Sequence, residues 1–151
     1  MTLAELRQMV VAPFPISERR PLLYEHLLRV VADLNNLHIR CEIWVNGSLL
    51  TEKPEPSDLD VSVILDHDVS VELNGVQMDL FNRLSEGYGP DIDSFAYARR
   101  LREDPLFGNP MIDTAYDWGE QYGSESSDDW LKGFAVILLG ETDVGLRIRR
   151  R

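Results

Sequence analysis

Between Arg40 and Leu65 two β-type runs, CEIWV and LDVSVIL, are separated by a polar, proline-bearing spacer, NGSLLTEKPEPSD. Aromatic and β-branched side chains suit a pleated, half-buried surface, and Asn46-Gly47 stops the first run, so a strand is expected from about Arg40 to Val45. In the second run Leu59, Val61, Val63 and Leu65 fall on one face, with Asp58, Asp60, Ser62 and Ile64 on the other. A chain built around this unit must form a sheet, and it must carry two carboxylates at the mouth of a buried strand.

The flanking segments supply helices for that sheet. SERRPLLYEHLLRVVADLNNL repeats Leu23, Leu27, Val30, Leu34 and Leu37 at helical spacing, with Ser17 as cap. VSVELNGVQMDLFNRLSE repeats Leu73, Val76, Leu80 and Leu84, a helix weakened by Asn74-Gly75. DIDSFAYAR reads as a third strand. Asn109-Pro110 offers a cap and a first-turn proline for a helix through MIDTAYDWGEQYG, and WLKGFAVILLG is a fourth strand or a short buried helix. The order α-β-β-α-β-α-β predicts an α/β (α+β) fold, a small mixed sheet with helices packed on it. One domain is expected over residues 1–151, its core at about 17–140 and a basic tail at 146–151.

Charge and composition narrow the function classes. A net charge of −11 opposes general nucleic-acid binding, which needs a positive field to gather phosphates. The terminal LRIRRR is the exception, a solvated mobile end or a grip for an acidic partner or RNA. No apolar run approaches the roughly 20 residues of a membrane span. The N-terminus is a poor signal peptide, and the one cysteine, Cys41, excludes an internal disulfide, so a cytoplasmic protein with no membrane partner is expected. His26, His38 and His67 read as surface, core or turn residues. Trp44, Trp118 and Trp130 read as core or groove aromatics, and Cys41 as a small buried hydrophobe.

Asp58 and Asp60 lie two residues apart on one strand face, so their carboxylates repel unless a cation relieves them. Hard oxygen ligands suit Mg²⁺, which binds one or two carboxylates together with phosphates and water. Gly47-Ser48 precedes the pair by nine residues, and a glycine turn with a hydroxyl suits close approach to a phosphate.

The stretch VNGSLLTEKPEPSDLDVSVIL resembles the signature of the polymerase-β-like nucleotidyltransferase superfamily: strand, Gly-Ser, spacer, then acid-hydrophobic-acid opening a strand. More loosely, Ser17 to Gly140 is similar to small microbial and phage-associated nucleotidyltransferase-like proteins. The resemblance implies that Gly47 and Ser48, with Ser57 beside them, bind the nucleoside triphosphate, and that Asp58 and Asp60 hold Mg²⁺ or Mn²⁺. It also implies a third carboxylate from a later strand. Asp93, inside DIDSFAY, is preferred for metal binding and catalysis over Asp91, which follows Pro90. The implied activity transfers a nucleoside monophosphate from an NTP to a hydroxyl on a protein, an RNA end or a small molecule. Minimal superfamily members often carry arginines after Gly-Ser, where this chain has only Lys53, with Lys132 and the arginine end as other sources of charge. That departure keeps a second expectation open, a catalytically weak fold that binds a protein partner in a toxin–antitoxin or phage-defence system. A nucleotide-sugar site built on Asp-x-Asp fits the preceding Gly-Ser poorly.

Overall fold

The computed structural model describes residues 2–100, 104–106, 134–140 and 146–149. The sheet forms around the two runs singled out above. β1 (Cys41–Asn46) pairs antiparallel with β2 (Leu59–Asp66), and a short 3-10 turn (Gly47–Leu50) follows β1. β3 (Ile92–Arg99) lies parallel to β2, β4 (Phe134–Leu139) is antiparallel to β1, and β5 (Leu146–Arg149) is antiparallel to β4. The strand order is β3-β2-β1-β4-β5, a mixed five-stranded sheet. The parallel β2–β3 pair needs a long connection, which α3 (His67–Val71) and α4 (Gly75–Glu86) provide.

The alternation of LDVSVIL sets which face is core. Leu59, Val61, Val63 and Leu65 are fully buried, as are Ile43 and Val45 beside them, in a cluster with α2 (Arg19–Asn36) through Leu23, Leu27, Val30 and Leu34. The N-cap position is Glu18, one residue after the expected Ser17, but the Ser17 Oγ still accepts from the Arg20 N–H in the first turn at 3.1 Å. Leu37 falls just past the last turn. α1 (Leu3–Val10) also enters this core with Leu6 and Val10, so the packed unit begins before residue 17. Its start is a capping box between Thr2 and Glu5.

Three expectations change. The single helix through Asn74-Gly75 is two helices, because the Asn74 carboxamide accepts from the Gln77 N–H at 3.0 Å while the Gln77 side chain accepts from the Asn74 N–H at 2.9 Å. A residue so used starts a helix and cannot continue one. His67, expected in a polar turn, opens α3. The basic end is no free tail over residues 146–149, where it is the edge strand β5. Leu146 and Ile148 alternate with Arg147 and Arg149, the period-two pattern that the short run concealed, and β4 offers them an open row of backbone groups. The helix expected after Asn109-Pro110, together with Trp118, Trp130 and Lys132, lies outside the described residues. FAVILL is a strand and not a helix. Among the described residues no helix is long and apolar enough to cross a membrane.

Deleting residues 146–151 is therefore expected to cost about 1–3 kcal/mol and to lower the melting temperature by roughly 2–4 °C for each of those kcal/mol. The bared β4 edge should also promote association. Calorimetry and light scattering on the truncated chain test this, and an unchanged melting temperature with unchanged mass would refute it.

Candidate functional site

One row of residues crosses the sheet at the end where β1 meets the Gly47 turn. Asn46 pairs with Asp60, and Asp60 pairs with Asp93. Register partners on neighbouring strands share a face and lie about 4.8 Å apart. Asn46, Asp60 and Asp93 therefore stand side by side on the face opposite the core. β2 begins at Leu59, so Asp58 sits one residue ahead of the strand, half-buried. Ser57 is exposed and its Oγ donates to Asp58 Oδ1 at 3.1 Å, so its hydroxyl orients a carboxylate. Among the described residues no three His, Cys, Asp or Glu side chains stand close enough to form a metal-binding group, so the carboxylates form an open arrangement.

The Gly47 turn closes one side of the row. Gly47 has φ +71°, and a Cβ there would fall inside the Asp60 carboxylate. Only glycine allows this backbone and this approach together. The Asp60 carboxylate thus leans toward β1. Ser48 Oγ and Asn46 Oδ1 are both buried without a hydrogen-bond partner. A buried polar atom with no partner is costly, and such atoms commonly mark the place of a missing ion, water or ligand. They belong to the two neighbours in sequence of Gly47, the residue that packs against the Asp60 carboxylate.

Arginines from the start of α2 build the frame. Arg20 is fully buried within the apolar stripe, three residues before Leu23. Its guanidinium donates to the carbonyls of Val10 at 2.7 Å, Leu49 at 3.0 Å, Thr51 at 2.6 Å and Lys53 at 2.6 Å. It also stacks over the Phe14 ring at 3.5 Å. Arg19 Nη1 meets Asp91 at 3.0 Å, while its other donors reach the Pro56 and Ser57 carbonyls. The hydrogen bond from Arg19 holds the Asp91 carboxyl below its usual range, and Asp91 in turn raises the Arg19 pKa. Asp91, at φ +60°, is thus a structural partner at the start of β3, and Asp93 is the acid beside Asp60.

Sequence reasoning missed Arg19, Arg20 and Asn46. An arginine at the helical spacing of Arg20, Leu23, Leu27 and Val30 was the available signal for a buried cation. Lys53, the one basic residue within residues 47–53 of the sequence, is exposed, and its carbonyl is what Arg20 uses. Arg147 and Arg149 take register positions opposite Val136 and Phe134.

The opposite end of this face holds a cleft of about 190 Å³ around Glu42, Asp66 and Arg99. Arg99 meets Asp66 at 2.8 Å and Glu42 at 3.1 Å, so its charge is already neutralised. Trp44 Nε1 donates to Glu42 at 2.8 Å and its ring packs on Phe134, as a groove aromatic does. Cys41 is buried, which pushes its thiol up to about 12 and leaves it inert as a nucleophile. The carboxylate end, with its unpartnered oxygens, is the stronger site.

No curated protein and no solved structure matches this chain. A family profile covers residues 1–138, and the chain belongs to that family, DUF6932, a family of unknown function.

Proposed function

We propose that this protein is a metal-dependent nucleotidyltransferase of the polymerase-β-like type, acting in the cytoplasm. The observation that carries the reading is the row Asn46–Asp60–Asp93 against a glycine turn whose Ser48 hydroxyl is buried and unpartnered. Gly47 and Ser48 bind phosphate oxygens of the triphosphate. Asp58, oriented by Ser57, and Asp60 bind Mg²⁺ or Mn²⁺, and Asp93 completes the site from β3. The donor set, carboxylate and amide oxygens, fits a hard cation.

In this reaction the acceptor hydroxyl oxygen attacks the α-phosphorus, the bond to the bridging oxygen breaks, and pyrophosphate leaves. Asp93 takes the acceptor proton. A cation held by Asp58, Asp60 and Asp93 would neutralise phosphate charge and make the acceptor hydroxyl more acidic. Most of the acceleration comes from positioning and charge. The acceptor is a protein, an RNA end or a small molecule. Residues 49–53 offer only Lys53 as positive charge, and Arg147 and Arg149 of β5 are further sources. The same shortage around the Gly47 turn favours the second reading, a weakly catalytic fold that binds a protein partner in a toxin–antitoxin or phage-defence pair.

Incubation with each α-labelled triphosphate, Mn²⁺ and lysate is expected to label protein or RNA, and Asp60→Asn should abolish the label. Because the carboxylates repel without a cation, Mg²⁺ or Mn²⁺ should raise the melting temperature, further so with triphosphate. The Asp58→Asn, Asp60→Asn double variant should lose that increment while keeping its metal-free stability. A metal response without labelling supports the binding reading. A double variant that responds like the wild type sinks the metal assignment.

A further inference from the structure

We propose that Asn46 is an oxygen ligand of the divalent cation, extending the site from β2 and β3 onto β1. This rests on the metal-binding part of the reading above. Asn46 is 5% exposed, and its Oδ1 has no hydrogen-bond partner. It pairs in register with Asp60, so both side chains belong to the same face. The contact between Gly47 and the Asp60 carboxylate brings that carboxylate to the end of β1, where Asn46 stands. Burying the Asn46 amide oxygen with nothing to donate to it is unfavourable in the bare protein. A hard cation reverses the sign: carboxamide carbonyls are ordinary ligands for such ions, and a neutral ligand adds no further repulsion to Asp60 and Asp93. It also accounts for the open arrangement of the acids, because the missing oxygen comes from an amide.

Two variants separate ligation from packing, with Mn²⁺ alone as probe, read by calorimetric titration and by the metal-dependent rise in melting temperature. Asn46→Leu keeps the bulk and removes the orphaned oxygen, so without metal it should melt at or above the wild-type temperature. Its Mn²⁺ affinity should fall tenfold or more. Asn46→Asp keeps the shape and makes the oxygen a stronger ligand. It should melt lower without metal, through repulsion from Asp60, and show a larger Mn²⁺ increment than the wild type. A residue that instead donates its amide N–H to phosphate predicts no gain in Mn²⁺ affinity for Asn46→Asp. Wild-type Mn²⁺ affinity in Asn46→Leu, or no enlarged increment in Asn46→Asp, overturns the assignment of Asn46 and leaves the carboxylate site standing. No Mn²⁺ response from the wild-type protein overturns both.

Discussion

Arg20→Met is expected to destabilise the protein by about 3–5 kcal/mol, a large share of the total stability of a small domain. Methionine fills much of the volume but donates nothing. The carbonyls of Val10 and Leu49 are buried at their bonds with Arg20 and would lose their donor without gaining water. Those of Thr51 and Lys53 lie nearer solvent and are partly rehydrated. One guanidinium joins the end of α1 to the segment after the Gly47 turn, so its loss should also loosen residues 47–53. Arg20→Lys should give an intermediate loss, since an ammonium on a flexible stem cannot span four carbonyls as a planar fork does. Denaturant unfolding and amide exchange over residues 47–53 measure both effects. A midpoint equal to that of the wild type would show that the loop is held by something else.

Gly47→Ala should be nearly as damaging, at about 2–4 kcal/mol, and it should be selective for the site. Part of the loss is the left-handed backbone at φ +71°, and the rest is the overlap of the new methyl with the Asp60 carboxylate. The carboxylate must swing away from Asn46, so the Mn²⁺ increment in melting temperature should vanish as well. The two contributions separate in a double-mutant cycle. Asp60→Ala in the Gly47→Ala background removes the overlap and should recover roughly 1–2 kcal/mol. Additive losses would mean that the backbone strain acts alone and that Asp60 has room to move.

The edge of the site has a pH signature of its own. Asp91 is held below its ordinary range by Arg19, so its contribution is present above the unfolded carboxylate pKa and is lost as pH falls through the folded value. The pair is partly exposed, at 32% for Arg19 and 40% for Asp91, so solvent weakens it and the effect on stability is small.

Local chemistry alone determined much of this protein. The alternation in LDVSVIL assigned β2 and its buried face, and the spacing of Leu23, Leu27, Val30 and Leu34 assigned α2, because burying one face requires those periods. The proximity of the Gly47 turn to Asp60 follows from antiparallel pairing of two strands joined by a short spacer. Tertiary structure decided what depends on partners remote in the chain. Asp91 and Asp93 are both plausible acids in DIDSFAY, and only the parallel register sets Asp93 beside Asp60 while Arg19 claims Asp91. Asn46 reads as a turn residue until burial leaves its oxygen unpartnered. Arg20 takes its role only where four carbonyls from two other segments converge on it. LRIR reads as a charged tail until β4 presents an unpaired edge, since hydrogen bonding to a distant strand leaves no mark in four residues of sequence.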